Sequence, residues 1–475
     1  MRVAIRDHGL PTRADAQHLA TARCPAPSVQ QIVAADAVPP PPVLAMEQPA
    51  YLGSDPVDLA RYHDPAVFAV EVEAIWKRCW QWVCREDHIP EPGDYYTYEV
   101  AHLSYLVVRQ EDGSVKGFVN SCRHRATKLK AGEGLGSAAE IRCPYHGWSW
   151  SNDGALRQVP CAWDFGHVDP AAHALPEVRV GRWGGFIFIN PSPDGPDLLD
   201  YLAPLPDHFA GWDIANRFVE VHVAKELACN WKTALEAFLE SYHVLETHPQ
   251  ILTGVGDANV QYDCHSDHIT RFYAANGTNS PHLAQPLGEQ ELLGQVLIGD
   301  SSLHDPAMQV GAGETARTVM ARLLRHAMGE KYRTDLSRFS DSEMIDTIEY
   351  HVFPNMVLFP GLSLPMVYRF RPISSDPERT LFEILFLRPN PDDGAAPEPA
   401  EPTRVSEAES YASAPGMDPG MGAVYDQDTA NLRAQQQGFH ASATGVQVLG
   451  NYQESRIRHF QMVVDKYLAA GEPRA

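Results

Sequence analysis

A chain of 475 residues is too long for one hydrophobic core of ordinary size, so we expect two domains. The apolar fraction of 44% and the aromatic fraction of 9% are those of a globular protein. The formal net charge of −23 argues against nucleic acid or an anionic membrane face as the main partner, because both would repel the chain.

The expected compartment follows from the apolar runs and the cysteines. No apolar run approaches bilayer-spanning length, and the N-terminal stretch MRVAIRDHGLPTRADAQ lacks the apolar core of a signal peptide. Eight cysteines in so long a chain do not make a disulfide framework. We therefore expect a cytoplasmic protein in a reducing compartment, with no membrane partner.

Residues 1–50 lack a strong hydrophobic period and contain four consecutive prolines, Pro39 to Pro42. We interpret them as a Pro-rich N-terminal arm, either extended as polyproline or disordered. The following stretch, DPAVFAVEVEAIWKRCWQWV, carries apolar residues at helical spacing and predicts a helix that precedes the first domain. The residues of this apolar stripe are Phe68, Val72, Ile75 and Cys79.

The pattern changes to strands from Gly93 to about Pro191. Short segments rich in β-branched and aromatic residues alternate with turns that contain Gly, Asp and Asn, including EDGS and NDGA. The predicted strands are YYTYEV, SYLVVRQ, KGFVNS, EIRCP and GGFIFINP. Together with the preceding helix, they make residues 51–195 a small all-β domain.

Residues 196–475 mix helical and strand patterns and predict an α+β domain. Residues 390–422 are interpreted as a flexible acidic loop. The other predicted elements are a helix over 229–247, a polar helical insertion over about 285–346, strands at 348–359, 364–371 and 380–388, a helix over about 424–437 that ends at Gly438, and a helix that closes the chain.

Two Cys/His pairs, Cys122-x-His124 and Cys143-x-x-His146, lie on loops of the β domain. One accidental pair is common in a chain with 8 cysteines and 21 histidines, but two like pairs in one short segment are not. The alternatives are zinc and ordinary buried side chains. Zinc fingers pair Cys with Cys and His with His, whereas each loop here supplies one of each. That alternation favours a [2Fe–2S] cluster with two thiolates on one iron and two imidazoles on the other.

The flanks of these pairs carry a family resemblance. In CPYHGW, Pro144 and Gly147 shape a tight loop, and Tyr145 and Trp148 are expected to shield a cluster. The segment resembles the Rieske-type iron–sulfur proteins. The cluster ligands that this resemblance implies are Cys122 and Cys143 on one iron, and His124 and His146 on the other. The cysteines expected to be unligated are Cys24, Cys79, Cys84, Cys161, Cys229 and Cys264.

A second candidate metal site lies on the predicted helix NWKTALEAFLESYHVLETHPQ. Glu240 and His243 are three residues apart and share one helix face. His248 is five beyond His243, but Pro249 moves it out of the α region, so the chain can turn and bring both imidazoles together. Taken alone, these histidines would be ordinary polar residues; downstream of the Cys/His pairs they indicate a metal. The core-facing stripe is expected to be Trp231, Leu235, Phe238 and Tyr242.

Two histidines and one carboxylate form the facial triad of non-haem Fe(II) oxygenases. The stretch VYDQDTANLRAQQQGF (424–439) resembles the Rieske oxygenase motif in which the ligand aspartate begins a helix and Gln-x-Gly follows. The register that matches Gln436 and Gly438 selects Asp428 as the third iron ligand. Asp426 is the alternative ligand, and a plain charge at a helix N-terminus is the alternative role for either carboxylate.

From about residue 50 to the end, the chain resembles the α subunit of a Rieske non-haem iron oxygenase, of the aromatic-ring-hydroxylating type. The resemblance implies an N-terminal Rieske domain and a helix-grip catalytic domain over 196–475. It implies one [2Fe–2S] cluster and one mononuclear Fe(II) per chain. It also implies a head-to-tail homotrimer, with or without a β subunit, in which one subunit's cluster serves the neighbour's iron. Glu240 matches the acidic residue that bridges the two.

Two positions depart from the ring-dihydroxylating pattern. The bridge is Glu240 where those members usually carry Asp, which is more similar to monooxygenating and demethylating branches. Ala237 stands before Phe238 where the family often has Asn. Both departures put cis-dihydroxylation in doubt.

The resemblance implies a terminal oxygenase that receives electrons from an NAD(P)H-dependent reductase, in some systems through a ferredoxin, and uses O2. The acidic surface could help to dock a basic reductase face. The apolar stretch FPNMVLFPGLSLPMVYRF (353–370) offers Met356, Phe359 and Met366 as pocket walls or as plain core. We expect a hydrophobic, ring-bearing substrate. The alternatives are a demethylase or monooxygenase of a methylamine or quaternary ammonium compound held by an aromatic cage, and an electron carrier with an inactive second domain.

Overall fold

The structure is a computed structural model, and it describes residues 4–296 and 308–471. The chain divides by its contacts into two compact units. The first unit comprises Met1–Asp64, Ala203–Phe370 and Glu378–Lys466, and the second comprises Pro65–Leu202, Arg371–Pro377 and Tyr467–Ala475.

Over its described residues, the predicted N-terminal arm combines short helices with stretches that have no regular secondary structure. It forms three short helices, α1 (Ala16–Thr21), α2 (Val29–Val33) and α3 (Pro42–Ala45). The proline run ends at the first helical position of α3, where the missing N–H leaves no hydrogen bond unmade. Side chains of the first unit hold this segment: Arg317 pairs with Asp36 at 2.8 Å, and Arg271 donates to the Val43 carbonyl at 2.7 Å.

The helix predicted before the β domain is present. After strand β1 (Val57–Asp58), helix α4 (Pro65–Glu71) continues into a π-helical turn at Val72–Trp76. Phe68, Val72 and Ile75 are all buried, as their spacing predicts.

The predicted all-β domain is confirmed in the second unit. A seven-stranded sheet has the order β2-β11-β10-β5-β4-β3-β6, and a three-stranded sheet has the order β7-β8-β9. The strands are β2 (Gln81–Arg85), β3 (Asp94–Val100), β4 (Leu103–Arg109), β5 (Val115–Val119), β6 (Gly134–Ser137), β7 (Ile141–Arg142), β8 (Ser149–Trp150), β9 (Leu156–Gln158), β10 (Glu177–Trp183) and β11 (Phe186–Asn190). In the predicted EDGS turn between β4 and β5, Gly113 has a φ of 78°, which favours glycine.

The first unit is built on an eight-stranded sheet of order β13-β14-β15-β16-β17-β18-β12-β19. The pairs β13–β14, β14–β15, β15–β16, β16–β17 and β12–β18 are antiparallel, and β12 pairs with β19 in parallel. The strands are β12 (Arg217–Leu227), β13 (Gln261–Cys264), β14 (Ile269–Ala274), β15 (Thr347–Val352), β16 (Met356–Leu358), β17 (Met366–Pro372), β18 (Thr380–Pro389) and β19 (Thr403–Val405). A small ladder joins β1 to β20 (Val446–Gln447).

Helices complete the α+β architecture that the sequence predicts. They are α5 (Leu198–Leu202), α6 (Leu205–His208), α7 (Trp231–Glu236), α8 (Val244–Thr247), α9 (Glu289–Val296), α10 (Ala316–Tyr332), α11 (Asp341–Ile345), α12 (Pro419–Ala441) and α13 (Ser455–Gly471). Helix α7 contacts β18 and helix α12 contacts β12, so both lie against neighbouring strands near the β19 edge of the sheet. The part of the chain that the structure describes holds no helix long and apolar enough to cross a membrane.

Two predicted elements differ from the structure, the helix over 229–247 and the loop over 390–422, whereas the helical insertion predicted over 285–346 is present. The helix predicted over 229–247 is broken between α7 and α8, because the Ser241 N–H donates to the Tyr262 hydroxyl at 3.1 Å and the Ser241 hydroxyl donates to the Asp257 carbonyl at 2.6 Å. The loop predicted over 390–422 contributes strand β19. The insertion predicted over 285–346 contains α9, α10 and α11, while residues 297–307 lie outside the described part.

Helix α12 is longer at both ends than the predicted 424–437. Asp418 caps its N-terminus by accepting from the Met421 N–H at 2.9 Å, and Pro419 occupies the first turn. The helix passes through Gly438 to Ala441, since one glycine inside a helix costs only about 1 kcal/mol.

Candidate metal centres

The two Cys/His loops bring their four side chains to one end of the second unit. Cys122 and Cys143 are buried, whereas His124 is half-buried and His146 is exposed. The two imidazole rings lie 4.8 Å apart, centroid to centroid. Each loop is closed by a backbone hydrogen bond that its cysteine carbonyl accepts, from Ala126 at 3.0 Å and from Gly147 at 3.1 Å. Gly147 has a φ of 78°, which explains the glycine expected there.

Aromatic side chains surround the half-buried histidine. The Trp148 ring stacks on His124 at 5.1 Å and is itself buried, as the shielding role predicts. Phe165 meets the edges of both rings. Tyr145 does not shield the loops in the way expected, because 57% of its surface is exposed and its ring lies over the exposed His146.

The donor set fits a two-iron cluster. The backbone N–H of His124 points at the Cys122 sulfur at 3.4 Å, a geometry that stabilises a thiolate ligand. Burial raises the pKa of the Cys122 thiol, so a bound metal is needed to hold it as a thiolate. Among the described residues, the three ligand side chains that could hold a single metal ion are not these four and belong to the first unit. The donor types, one thiol and one imidazole from each loop, suit a two-iron cluster better than one zinc.

That single-ion position is formed by His243, His248 and Asp428, whose ligand atoms all lie within 4.8 Å of one another. Nε2 of His248 is 2.6 Å from Oδ1 of Asp428, and Nε2 of His243 is 3.5 Å from the same oxygen. His248 and Asp428 are buried. Two imidazoles and one carboxylate on one side are the donors of a facial triad.

The elements explain how these residues meet. His243 and His248 flank α8, and His248 leaves the helical region (φ −124°, ψ 52°) just before Pro249, as predicted. Asp428 comes from the middle of α12 rather than from its beginning, so the expectation that the ligand begins a helix is wrong. The Asp418 cap takes that position instead.

The alternative carboxylate lies elsewhere. Asp426 accepts from the Tyr411 N–H at 3.1 Å and lies 3.6 Å from the Lys225 ammonium. These partners hold it on a different side of α12 from Asp428, and it is not part of the converging set. The reading of Asp428 as a helix N-terminal charge is also removed by its place in α12.

Charge and burial shift the pKa values of the site residues in opposite directions. Burial would lower the pKa of His243, but the charge of Glu240 and the hydrogen bonds to Asp428 and Glu240 raise it to about 10. Burial would likewise raise the pKa of Asp428, yet the hydrogen bonds from His243 and His248 lower it. The site therefore favours positive charge beside a carboxylate, and a divalent cation would supply that charge.

Glu240 is bonded to a candidate ligand as expected. Its Oε1 lies 2.7 Å from Nδ1 of His243, and its Oε2 accepts the His243 backbone N–H at 3.1 Å. Glu240 thereby fixes Nδ1 as the protonated nitrogen and leaves Nε2 of His243 directed at the site.

Gln427 is a site residue that the sequence reasoning missed. Its Oε1 lies 3.0 Å from Nδ1 of His248 and accepts from Gln250 Nε2 at 2.7 Å. It orients His248 as Glu240 orients His243. Its position directly before Asp428 was the only signal in the sequence. Adjacent residues do not share a helix face, so this position alone does not place Gln427 at the site.

A cleft of about 190 Å³ opens on the side of the site where Glu240 lies. We call it the Glu240 cleft. Its lining includes four carboxyl groups from Glu236, Glu240, Asp428 and Glu454, together with the His243 imidazole. Ala237 also lines it, in the position where the family often has Asn.

An aromatic cluster adjoins the site. Phe238 follows α7, and Tyr425 precedes Asp428 by about one turn of α12. The Tyr368 and Tyr425 hydroxyls are 2.9 Å apart, and the rings of Phe370 and Phe382 stack at 4.6 Å. The expected wall residues Met356, Phe359 and Met366 are buried, and Phe359 contacts the Tyr368 ring. The cluster comprises Phe238, Phe359, Tyr368, Phe370, Phe382, Tyr411 and Tyr425.

Sequence profiles of two known domains match the chain. The profile of the ring hydroxylating alpha subunit (catalytic domain) matches residues 216–470, and that of the Rieske [2Fe-2S] domain matches residues 79–169.

Curated relatives align with part of the chain. A glycine betaine monooxygenase oxygenase subunit from Chromohalobacter salexigens is 34% identical over 203 residues, which cover 42% of this chain and 44% of the relative. A chlorobenzene dioxygenase subunit alpha from Cupriavidus sp. is 35% identical over 192 residues, 39% of this chain and 42% of the relative. The chain thus spans less than half the length of these relatives.

Solved structures share the fold over most of the chain. A quaternary ammonium Rieske monooxygenase in complex with L-carnitine has a TM-score of 0.61 at 18% identity, covering 89% of this chain and 99% of that one. A naphthalene 1,2-dioxygenase mutant bound to phenanthrene has a TM-score of 0.60 at 20% identity, covering 89% and 94%.

Proposed function

We propose a function that proceeds from one premise: the chain belongs to the family of ring-hydroxylating alpha subunits. A Rieske domain carries a [2Fe–2S] cluster, and the catalytic domains of this family bind mononuclear iron. The proposed function is that of a terminal oxygenase, an oxidoreductase that incorporates O2 into a small organic molecule. The observation that carries it is the convergence of His243, His248 and Asp428 in a chain that also holds two Cys/His pairs.

We assign the cluster and the iron to specific side chains. Cys122 and Cys143 would hold one iron of the cluster, and His124 and His146 the other. His243, His248 and Asp428 would hold the mononuclear iron, with Glu240 and Gln427 orienting the two imidazoles. When bound, the irons supply single-electron transfer and oxygen activation, which side chains alone lack.

Glu240 is proposed as the bridge for electrons between subunits. It already contacts His243 and lines a cleft, so a histidine of a neighbouring Rieske domain could donate to it from outside. A head-to-tail homotrimer would bring that histidine there. The electron donors would be an NAD(P)H-dependent reductase and, in some systems, a ferredoxin. We also infer a cytoplasmic location, which fits eight cysteines that form no disulfide with one another.

The favoured substrate is a hydrophobic, ring-bearing small molecule. The aromatic cluster supports this choice, because Tyr425 lies one turn before Asp428 on α12 and apolar and aromatic side chains bind apolar rings. Hydroxylation would then place oxygen on a ring held beside the iron.

A methylamine or quaternary ammonium compound is the second candidate. The same aromatic faces could hold a cation, and Asp428 and the buried Glu349 add negative charge near Tyr368. The reaction on such a substrate would be oxidative demethylation or monooxygenation. The curated relatives include enzymes named for each kind of substrate.

Metal analysis followed by product analysis tests the proposal. The purified protein should contain about three irons and about two acid-labile sulfides per chain. An electron carrier would contain about two irons, and zinc without sulfide would exclude the Rieske assignment. With a reductase and NADH, parallel panels of aromatic hydrocarbons and of methylated amines then separate ring hydroxylation from release of formaldehyde.

A further inference from the structure

A second carboxyl group shares the Glu240 cleft and is held in a buried polar network. Glu236 is 5% exposed and accepts from the Tyr62 hydroxyl at 2.9 and 3.0 Å. Gln461 also donates to it, and Gln447 donates to the Tyr62 hydroxyl at 2.6 Å. Glu236 therefore occupies a defined position four residues before Glu240.

The network leaves the protonation of Glu236 open to change at neutral pH. Burial raises its pKa to about 7, against the lowering effect of its hydrogen bonds from Gln461 and Tyr62 and of the nearby Lys232 and Arg61 charges. The charged and titratable groups that face it are Tyr62, Arg61 and Lys232 in the network, and Glu240, His243, Asp428 and Glu454 around the cleft.

The charge of Glu236 affects the energy of an electron that reaches the site through Glu240. Four carboxyl groups line one narrow cleft, so each ionised one raises the energy of added negative charge nearby. A neutral Glu236 lessens this repulsion without moving any atom of Glu240 or His243.

We propose that Glu236 is a proton-controlled gate on electron transfer into the catalytic site: its neutral form permits fast transfer through Glu240 and its ionised form slows it. This inference rests on the proposed function. Because coupling between two sites is reciprocal, arrival of an electron from the neighbouring cluster increases the proton affinity of Glu236. When Glu236 is ionised, its carboxylate then takes a proton from a hydronium ion or buffer acid of the solvent: the O–H bond to Glu236 forms as the O–H bond of that acid breaks, and water or the buffer base leaves. One electron and one proton thus enter together, with no net change of charge. Glu236 acts here through its charge and touches neither iron nor substrate.

Glutamine at position 236 imitates the neutral carboxyl and cannot ionise, so Glu236→Gln removes the proposed pH dependence and keeps the size of the side chain. In single-turnover experiments, reoxidation of the reduced cluster by substrate and O2 should slow in the wild type as the pH rises through neutrality. Glu236→Gln should show the fast, low-pH rate at every pH. Tyr62→Phe removes a hydrogen bond that favours the ionised form, so its transition should move to higher pH. Glu330→Gln, an exposed helix substitution, should keep the wild-type profile.

A direct readout does not depend on turnover. In the holoprotein, infrared difference spectra should show protonated carboxyl absorption that titrates near neutral pH, to which Glu349 also contributes because burial raises its pKa to about 7. Glu236→Gln should lose the Glu236 component of this absorption, whereas Glu349→Gln should keep it. A wild-type pH profile in Glu236→Gln, a uniformly slow one, or an unchanged infrared titration in that variant overturns the gate. If Glu236→Gln does not fold, an unshifted profile in Tyr62→Phe overturns it. A protein without sulfide or a third iron would instead overturn the proposed function, and the infrared titration would still report on Glu236.

Discussion

Glu240 holds the backbone and the side chain of His243 at once, accepting the backbone N–H at 3.1 Å and lying 2.7 Å from Nδ1. The two contacts lock the imidazole in one orientation and leave little freedom to a residue that must present Nε2 to a metal. The same carboxylate lines the Glu240 cleft, so one side chain both holds His243 in place and can be reached from the cleft.

Glu240→Gln should separate these roles. The amide keeps the size but loses charge-assisted hydrogen bonding, which is worth about 1.5–3 kcal/mol per bond. We expect both metals to remain and the external reduction of the cluster to be unchanged, while reoxidation slows roughly 10- to 150-fold. Stopped-flow single turnover measures that step. A wild-type reoxidation rate, or full activity as a monomer, would remove Glu240 from the electron path.

Asp428→Ala should lose the mononuclear iron and all turnover but keep the Rieske spectrum, because the triad loses its only carboxylate. Iron content and the visible spectrum of the purified variant check both parts. Asp426→Ala is the matched control on the same helix and should keep its iron, since Asp426 bonds to Tyr411 and not to the site. Iron loss in the control with retention in Asp428→Ala would exchange the two assignments.

Cys143→Ser should lose the brown-red colour and the acid-labile sulfide, because an alcohol is a poor ligand for a cluster iron. Cys161→Ser provides the control, as Cys161 is an exposed thiol of the same unit. Sulfide determination on both variants is sufficient, and a coloured Cys143→Ser protein would be incompatible with the assigned ligands.

Gln427→Ala should weaken iron binding by about 10- to 100-fold without removing any ligand, because His248 loses the partner of its Nδ1. Chelator competition on the purified variant measures the change. Gln427→Glu offers a stronger acceptor at the same place and should retain tight binding. Equal affinities for wild type and Gln427→Ala would mean that backbone packing alone orients His248.

Buried histidines predict a loss of stability in mild acid. Burial lowers the pKa of His351 to about 3, so the folded imidazole stays neutral while the unfolded one takes up a proton below about pH 6.5. Its contribution is complete above that pH and declines by about 1.4 kcal/mol per pH unit as the pH falls. Denaturant unfolding at pH 7.5 and pH 5 should show a smaller decline for His351→Gln than for the wild type. Exposed His326→Gln is the control, and equal declines in all three proteins would contradict the prediction.

The local parts of the candidate site could be predicted from the sequence, and the long-range parts could not. The Cys/His loops and the turn at Pro249 depend on residues close in the chain, so spacing was sufficient. The break after α7 depends on Tyr262 and Asp257, which no helical period reveals. It also leaves Tyr242 57% exposed, where the uninterrupted stripe predicted a buried residue.

Helix α12 shows a missed local signal of another kind. The Asp418-Pro419 pair is a strong helix start, but its place in an acidic, Gly- and Pro-rich stretch led to the interpretation as a loop. Gln427 was missed because its function exists only when His248, 179 residues away, is brought beside it.

The place of Asp428 on α12 has a consequence for folding as well as for chemistry. His248 and Asp428 are 180 residues apart in sequence, so one ion held between them ties off a large loop of the chain. Such a site exists only when both distant segments are in place, so an ion binds the folded chain in preference to the unfolded chain and stabilises it by mass action. Removal of the iron by a chelator should therefore make the chain more susceptible to proteolysis, in addition to abolishing activity.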